Sequence, residues 1–188
     1  NLSLGAADTG LRLSVRYATQ RHIYEGTIWD IPHARRILTK ALIDLLMCDA
    51  YLTATMRAIH LLPQEMSIWS AVTKYFIPST VEQMLDQLSK VLASRFYLRE
   101  GLVHGLFQKI WRDNALVGLF DGSKLVNLYG LALQLRLFAK RFAHPSQDNL
   151  NTLFDFTQPL PPFDATRLAL SSHRGNTLLN TVSHLQDH

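Results

Sequence analysis

Apolar positions recur every three or four residues through most of the first 142 residues, the period of a helix buried along one face. Over 34–61 they fall at Leu38, Leu42, Leu45, Leu52, Met56 and Ile59. The spacing predicts a helix with those six side chains on its inner stripe. Pro63 follows and should end it, because proline has no N–H to donate to a helix. A second periodic run predicts a helix from about Gln64 to Leu92, with Pro78 inside it as a kink or a new start. A shorter helix fits 101–113. A last one fits 123–142, with Leu125, Leu128, Leu131, Leu135 and Phe138 on one face. At the other end, Leu2 to Tyr24 reads as a helix carrying Leu4, Leu11, Val15 and Ala18.

No segment alternates apolar and polar residues between turn residues, so strands are not expected. Long helices joined by short loops predict an all-α fold, an antiparallel up-and-down four-helix bundle. The pattern breaks after Ala143. His144 to Pro162 places four prolines among Asn, Gln, Ser and Thr, the composition of a loop or linker. Residues 164–185 hold one weak helix at most. The expected division is a bundle over 1–142 and a Pro-rich, weakly helical tail over 143–188.

Composition narrows this further. The 188 residues are 47% hydrophobic and 18% charged, which suits a globular chain with a real core and excludes disorder. No apolar run approaches the roughly 18 to 20 residues that a membrane span needs. The net charge of +4 is modest, and the clusters Arg35-Arg36 and Lys140-Arg141 read as solvated helix faces rather than a nucleic-acid stripe. Cys48 is the only cysteine, which excludes an intramolecular disulfide, and its apolar neighbours predict a buried thiol. His22, His33, His60 and His104 lack ligand spacing, so no metal is expected. There is no Gly-rich phosphate loop and no Gly-x-Ser-x-Gly elbow. Trp29, Trp69 and Trp111 are expected to pack the bundle. The chain starts at Asn1 without a Met or a signal-like run, and is expected to be a fragment of a longer protein.

At "GLFDGSK", residues 118–124, chemistry and structure compete. Asp121 suits a helix cap ahead of "KLVNLYGLALQLRL", a role Ser123 suits equally. It also suits a reactive carboxylate. "GLF" supplies apolar walls before it, and Gly122 after it permits an unusual backbone angle. The residues alone leave both roles open.

"GAADTGLRLSVRYATQRHIY" contains Tyr17-Ala18-x-x-Arg21-x-x-Tyr24 after a helix rich in small residues. This resembles the C-terminal helical domain of acyl-CoA dehydrogenases. "KYFIPSTVEQMLDQLSKVLASRFYLRE", from Lys74, is similar in phase to that family's long helix and the Gly-Gly-x-Gly-Tyr turn after it. "WRDNALVGLFDGS" resembles the family's Arg-Asp and Tyr-Glu-Gly-Thr pair, with Arg112 and Asp113 matched and the spacing to Asp121 kept. In order, these motifs cover about residues 1–142.

The resemblance implies one domain of a three-domain flavoenzyme, whose other parts are an N-terminal helical domain and a middle β domain. FAD and an acyl thioester, carried by CoA or by acyl carrier protein, bind where the three meet. It also implies a homo-oligomer, and a cytoplasmic or mitochondrial-matrix setting. Asp121 takes the position of the catalytic base, which removes the α-proton of the thioester while the β-hydride passes to FAD. Such a base needs a pKa raised by burial. Arg21 and Tyr24 take positions that contact the FAD of a neighbouring subunit near its pyrophosphate, where a guanidinium can bond bidentately. Ser123 takes a Thr position whose hydroxyl reaches FAD phosphate.

Departures accompany the matches. Most of the family has Glu where this chain has Asp121, one methylene or about 1.5 Å shorter. A displacement near 1 Å at reacting atoms can lower a rate about 10²-fold. The glycine turn appears as Ala93-Ser94-Arg95-Phe96-Tyr97, Lys90 replaces a cofactor-contacting Gln, and Glu25 replaces a Gly. A few extra residues lie between Tyr97 and Arg112. These changes favour an alternative reading, a degenerate homologue kept as an oligomerisation or partner-binding bundle.

Overall fold

The computed structural model describes residues 2–100, 102–120, 122–138, 147–171 and 176–177. The fold is all-α, as the hydrophobic period predicts. The described helices are α1 (Leu2–Gln20), α2 (Pro32–Leu61), α3 (Met66–Leu92), α4 (Leu106–Val117), α5 (Lys124–Phe138) and α6 (Gln147–Phe154). Pro32 opens α2, where its missing N–H has no helical partner to lose. Pro63 sits in a 3-10 turn, Pro63–Glu65, that separates α2 from α3. Pro78 lies inside α3, which continues through it to Leu92.

Several expectations change. The first helix stops at Gln20, not Tyr24, and a hairpin of β1 (His22–Ile23) and β2 (Gly26–Thr27) follows. Two-residue strands are too short to show alternation. The helix expected over 101–113 is α4, displaced by a 3-10 turn at Leu102–Gly105. The stretch read as a linker, His144–Pro162, contains α6. In the region of the expected weak helix there is a 3-10 turn, Ala165–Arg167, while 139–146, 172–175 and 178–188 lie outside the described residues.

Residues 1–50 with 76–123 form one compact unit, and 51–75 with 124–188 form another. In the first, α1 packs on α4 and on the C-terminal half of α3. Ala7, Leu11, Leu13 and Ala18 of α1 are buried, as are Val81, Met84, Leu85, Leu88 and Leu92 of α3 and Phe107 of α4. Gly10 sets how close these helices come, because a Cβ there would lie 2.5 Å from Leu85 Cδ2. Cys48 is fully buried, as its apolar context predicts, and burial pushes its thiol pKa up.

The buried stripe of α2 in this unit is Ala34, Ile37, Leu38, Ala41 and Cys48. Leu42, assigned to the core by its spacing, is instead 46% exposed, beside Ile43 and Leu46. Small side chains take the contact because they let helices approach closely. The same holds in the second unit, where Ala54 and Ala58 are buried and Met56 is exposed. Leu125, Leu128 and Leu135 of α5 are exposed as well.

The core of the second unit is Ala58, Leu61, Leu62, Trp69 and Leu153, with Tyr51, Met66 and Leu160 packed on it. Trp69 thus packs as expected, whereas Trp29 and Trp111 are partly exposed. Leu153 explains why α6 forms. Eight residues are too few for a helix stable in water. Burying one leucine completely contributes about 2 kcal/mol, enough to favour docked helix over loose chain.

Candidate functional site

Arg21 and Tyr24 stand together on the hairpin after α1. The Arg21 N–H closes the last turn on the Tyr17 carbonyl at 2.9 Å, and the Arg21 carbonyl accepts from Ile28 N–H at 3.1 Å. Between these bonds the chain reverses, with His22 opposite Thr27 and Ile23 opposite Gly26. Asp30 secures the return strand, its carboxylate accepting from the Thr27 N–H and the Thr27 hydroxyl, both at 2.8 Å. Those two bonds, the backbone one first, hold the Asp30 carboxyl below its ordinary pKa.

Gly26 leaves room for this clamp, since a Cβ there would sit 2.9 Å from Asp30 Oδ2 and push the carboxylate aside. Neither Gly26 nor Asp30 emerges from the sequence reading as a site residue. The spacing Thr27-x-x-Asp30, close to a capping box, is the signal that points to them. Tyr24 holds φ 54°, a left-handed angle at the first turn position, which glycine favours. Its side chain is 99% exposed, and that of Arg21 is exposed without a partner among the described residues. The hairpin therefore offers a cation and an aromatic ring from a hydrogen-bonded, strained support.

The second expected position lies after α4. The Leu119 and Phe120 N–H groups both bond the Leu116 carbonyl, at 2.9 and 3.2 Å, closing the helix end. Asp121 itself lies outside the described residues. Gly122 has φ 95°, so this position does use the angle that only glycine adopts easily. Ser123 is half-buried and immediately precedes the first residue of α5, the N-cap position.

The third segment follows α3. Ala93 has φ 48° and an exposed side chain, so the backbone takes a glycine-like turn while a methyl group projects from it. Lys90 Nζ donates to Gln87 Oε1 at 3.0 Å. Phe96 packs edge-on against Tyr97 and Trp111, at 5.1 and 6.4 Å between ring centres. Tested against an FAD, the hairpin suits a pyrophosphate, because Arg21 has all its side-chain donors free of described partners. The turn at Ala93 fits in backbone path only.

Two buried charges of the second unit escaped the sequence reading. Arg57, 8% exposed, donates to the carbonyls of Leu153, Thr152, Asp155 and Gln158. Glu65 accepts from Asn176 Nδ2 and from the Thr177 N–H and hydroxyl. Burial raises the Glu65 pKa against the opposing pull of those bonds. Both groups organise the second unit. Among the described residues no three His, Cys, Asp or Glu side chains group as metal ligands do.

The sequence matches the family model for "Acyl-CoA dehydrogenase, C-terminal domain" over residues 2–134. No curated protein sequence matches it significantly. Among solved structures, an acyl-CoA dehydrogenase from Slackia heliotrinireducens is similar at 20% identity and TM-score 0.62, over 73% of this chain and 35% of that one. A probable acyl CoA dehydrogenase from Mycobacterium abscessus is similar at 15% and 0.64, over 71% and 34%. An acyl-CoA dehydrogenase from Geobacillus kaustophilus is similar at 14% and 0.64, again over 71% and 34%. The chain spans about a third of the length of each of these relatives, and at such identities the likeness is one of fold.

Proposed function

The chain belongs to the acyl-CoA dehydrogenase C-terminal domain family, and from that premise we propose that it is the helical domain of a larger acyl-CoA dehydrogenase-like flavoprotein. The substrate class is an acyl thioester of CoA or acyl carrier protein. FAD, when bound, supplies the hydride acceptor for α,β-dehydrogenation. Arg21 binds the cofactor pyrophosphate, Tyr24 packs beside it, and Ser123 gives a hydroxyl to phosphate. Asp121 removes the α-proton. The remaining pocket belongs to the N-terminal helical and β domains, so the isolated chain is inactive. The bundle over 1–142, with its antiparallel up-and-down order, is part of this reading, as is the tail over 143–188.

The observation that carries the proposal is the hairpin. An exposed Arg21 with no partner among the described residues and a fully exposed Tyr24 stand on the hairpin that the Asp30 clamp closes, although that support strains Tyr24. Loops that keep strain without a packing reason tend to be functional. Exposed Leu42, Ile43 and Leu46 favour self-association into a dimer or higher oligomer, and a strictly monomeric sedimentation result counts against that part.

A second reading has its own support. The Ala93 methyl and the Lys90–Gln87 bond stand where the family approaches its cofactor by backbone, and they favour a degenerate bundle used for assembly or partner binding. Flavin absorbance of the full-length protein separates the two. Bound FAD is expected, with Arg21→Ala weakening it about 10- to 100-fold through lost charged hydrogen bonds. Asp121→Asn is expected to retain FAD yet abolish its reduction by acyl thioester. Failure to take up FAD on reconstitution leaves only the second reading.

A further inference from the structure

α1 and α4 flank a cleft of about 490 Å³. Its walls are mostly apolar, with Leu2 and Ala6 on one side and Ile110, Val117 and Phe120 on the other. Asn114 also lines the cleft and is the buried residue among those that do, at 3% exposure. Its Oδ1 is buried and has no hydrogen-bond partner. An amide oxygen taken out of water and left unpaired costs its full desolvation, and folded proteins seldom keep one without a ligand to meet it. The burial is complete within this chain, so neighbouring domains cannot undo it.

Gly5 is a second, independent sign that the cleft is kept open. Glycine inside a helix is destabilising relative to alanine, and a close approach or a left-handed angle is the usual reason for it. Neither applies to Gly5 within this chain. A Cβ there would meet nothing within 4 Å, and its φ is not positive. Its missing side chain instead leaves room in the cleft that it lines. The volume falls in the range of small-molecule sites. Phe120 lines the same cleft and directly precedes Asp121, the residue read above as the base. The cleft therefore adjoins the loop that would act on the thioester.

We infer that this cleft takes the far end of the substrate's acyl chain, and that the chain carries a hydroxyl group which bonds the Asn114 amide. The inference rests on the acyl-thioester reading and names the kind of acyl group. An unsubstituted alkyl chain would match the walls but leave Asn114 unpaired. A wholly polar ligand would satisfy Asn114 and waste the apolar walls. Asp113, at the same cleft, is paired with Lys109 and offers no free carboxylate to a cationic ligand. A hydroxyl both donates and accepts, so it suits either end of the amide.

The test is calorimetric titration of the full-length protein with hexanoyl-, octanoyl- and decanoyl-CoA, each against its terminally hydroxylated analogue. At the length where the hydroxyl reaches Asn114, the analogue is expected to bind about fivefold tighter than the plain chain, the effect of one buried hydrogen bond. Asn114→Leu keeps the bulk and removes the amide, so it should abolish that preference and bind the plain chain at least as tightly. Gly5→Leu fills the cleft and should weaken both members of the pair alike, by about tenfold, through lost apolar contact. Circular dichroism reports whether each variant stays folded, and Gly5→Leu, at an exposed position, carries the test should Asn114→Leu not fold. Plain thioesters that bind as tightly as every hydroxylated analogue overturn the inference and leave the acyl-thioester reading standing. A protein that takes up neither FAD nor any of these thioesters overturns that reading and this inference with it. In a crystal structure of the full-length complex the hydroxyl is expected on Asn114, and a side chain of another domain bonded there instead overturns the inference.

Discussion

Replacing Arg57 by Met tests whether the C-terminal segment is part of the fold. The Arg57 Nη2 donates to the carbonyls of Thr152, Asp155 and Gln158 at 2.7, 2.8 and 3.2 Å, and Nε donates to Leu153 at 3.1 Å. The guanidinium also lies 5.6 Å from the Phe156 ring centre. The carbonyls of Thr152 and Leu153 belong to the last turn of α6, where no helical donor reaches them, and those of Asp155 and Gln158 follow the helix. A hydrogen bond to a charged group contributes about 1.5–3 kcal/mol, but the four share one cation and are not additive. Taking the guanidinium out of water costs several kcal/mol, which offsets part of the sum. Met keeps the bulk and removes every donor. The net loss is about 3 kcal/mol, more than the ~2 kcal/mol that Leu153 gains by burial, so α6 should undock. For a chain of this size that lowers Tm by about 6–12 °C. Hydrogen exchange read by mass spectrometry should show protection lost first across Gln147–Phe154. Arg57→Lys should recover less than half, because one ammonium cannot reach four carbonyls. If Arg57→Met keeps that protection and a Tm within about 2 °C of the parent, the guanidinium is not what holds α6.

Three further outcomes are expected. Tyr24→Gly should stabilise the hairpin by about 1 kcal/mol, since glycine accepts the left-handed angle, yet lower FAD retention in the full-length protein. A destabilised hairpin in thermal melts refutes the strain. Gly26→Ala should displace the Asp30 carboxylate, because its methyl meets Asp30 Oδ2, and NMR should show the Thr27 amide losing its hydrogen-bonded shift. An unchanged Thr27 amide sinks that account. Glu65 has a folded pKa raised above its ordinary 4.5, so the native state binds the extra proton. The linked stability is fully present below the ordinary value and is lost as pH rises through the raised one. Urea melts of Glu65→Gln should lack this component, and an identical pH slope in both proteins rules it out.

The helical periods determined the class of the fold and the centres of its long helices. The same spacing located Leu38 in the core, because burial on one face is the reason such spacing exists, and apolar neighbours located Cys48 there. The ordered matches at Tyr17-Ala18, Arg21, Arg112 and Asp113 made the family legible without any structure. Spacing did not reveal which side of α2 is packed. Its apolar residues outnumber what one face can bury, and the choice of Ala34, Ala41 and Ala58 over Leu42 and Met56 depends on how closely the facing helices come. The end of α1 at Gln20 was equally hidden, because the hairpin rests on Gly26 passing close to Asp30 rather than on strand composition. In the tail, proline and polar content argued for a linker, and α6 exists because Leu153 finds a core and Arg57 receives its carbonyls from 95 and more residues away. The sequence determined what could be helical and what chemistry the chain resembles. Tertiary contact decided which apolar faces are spent inside and which, on α2, α4 and α5, are left for something else to cover.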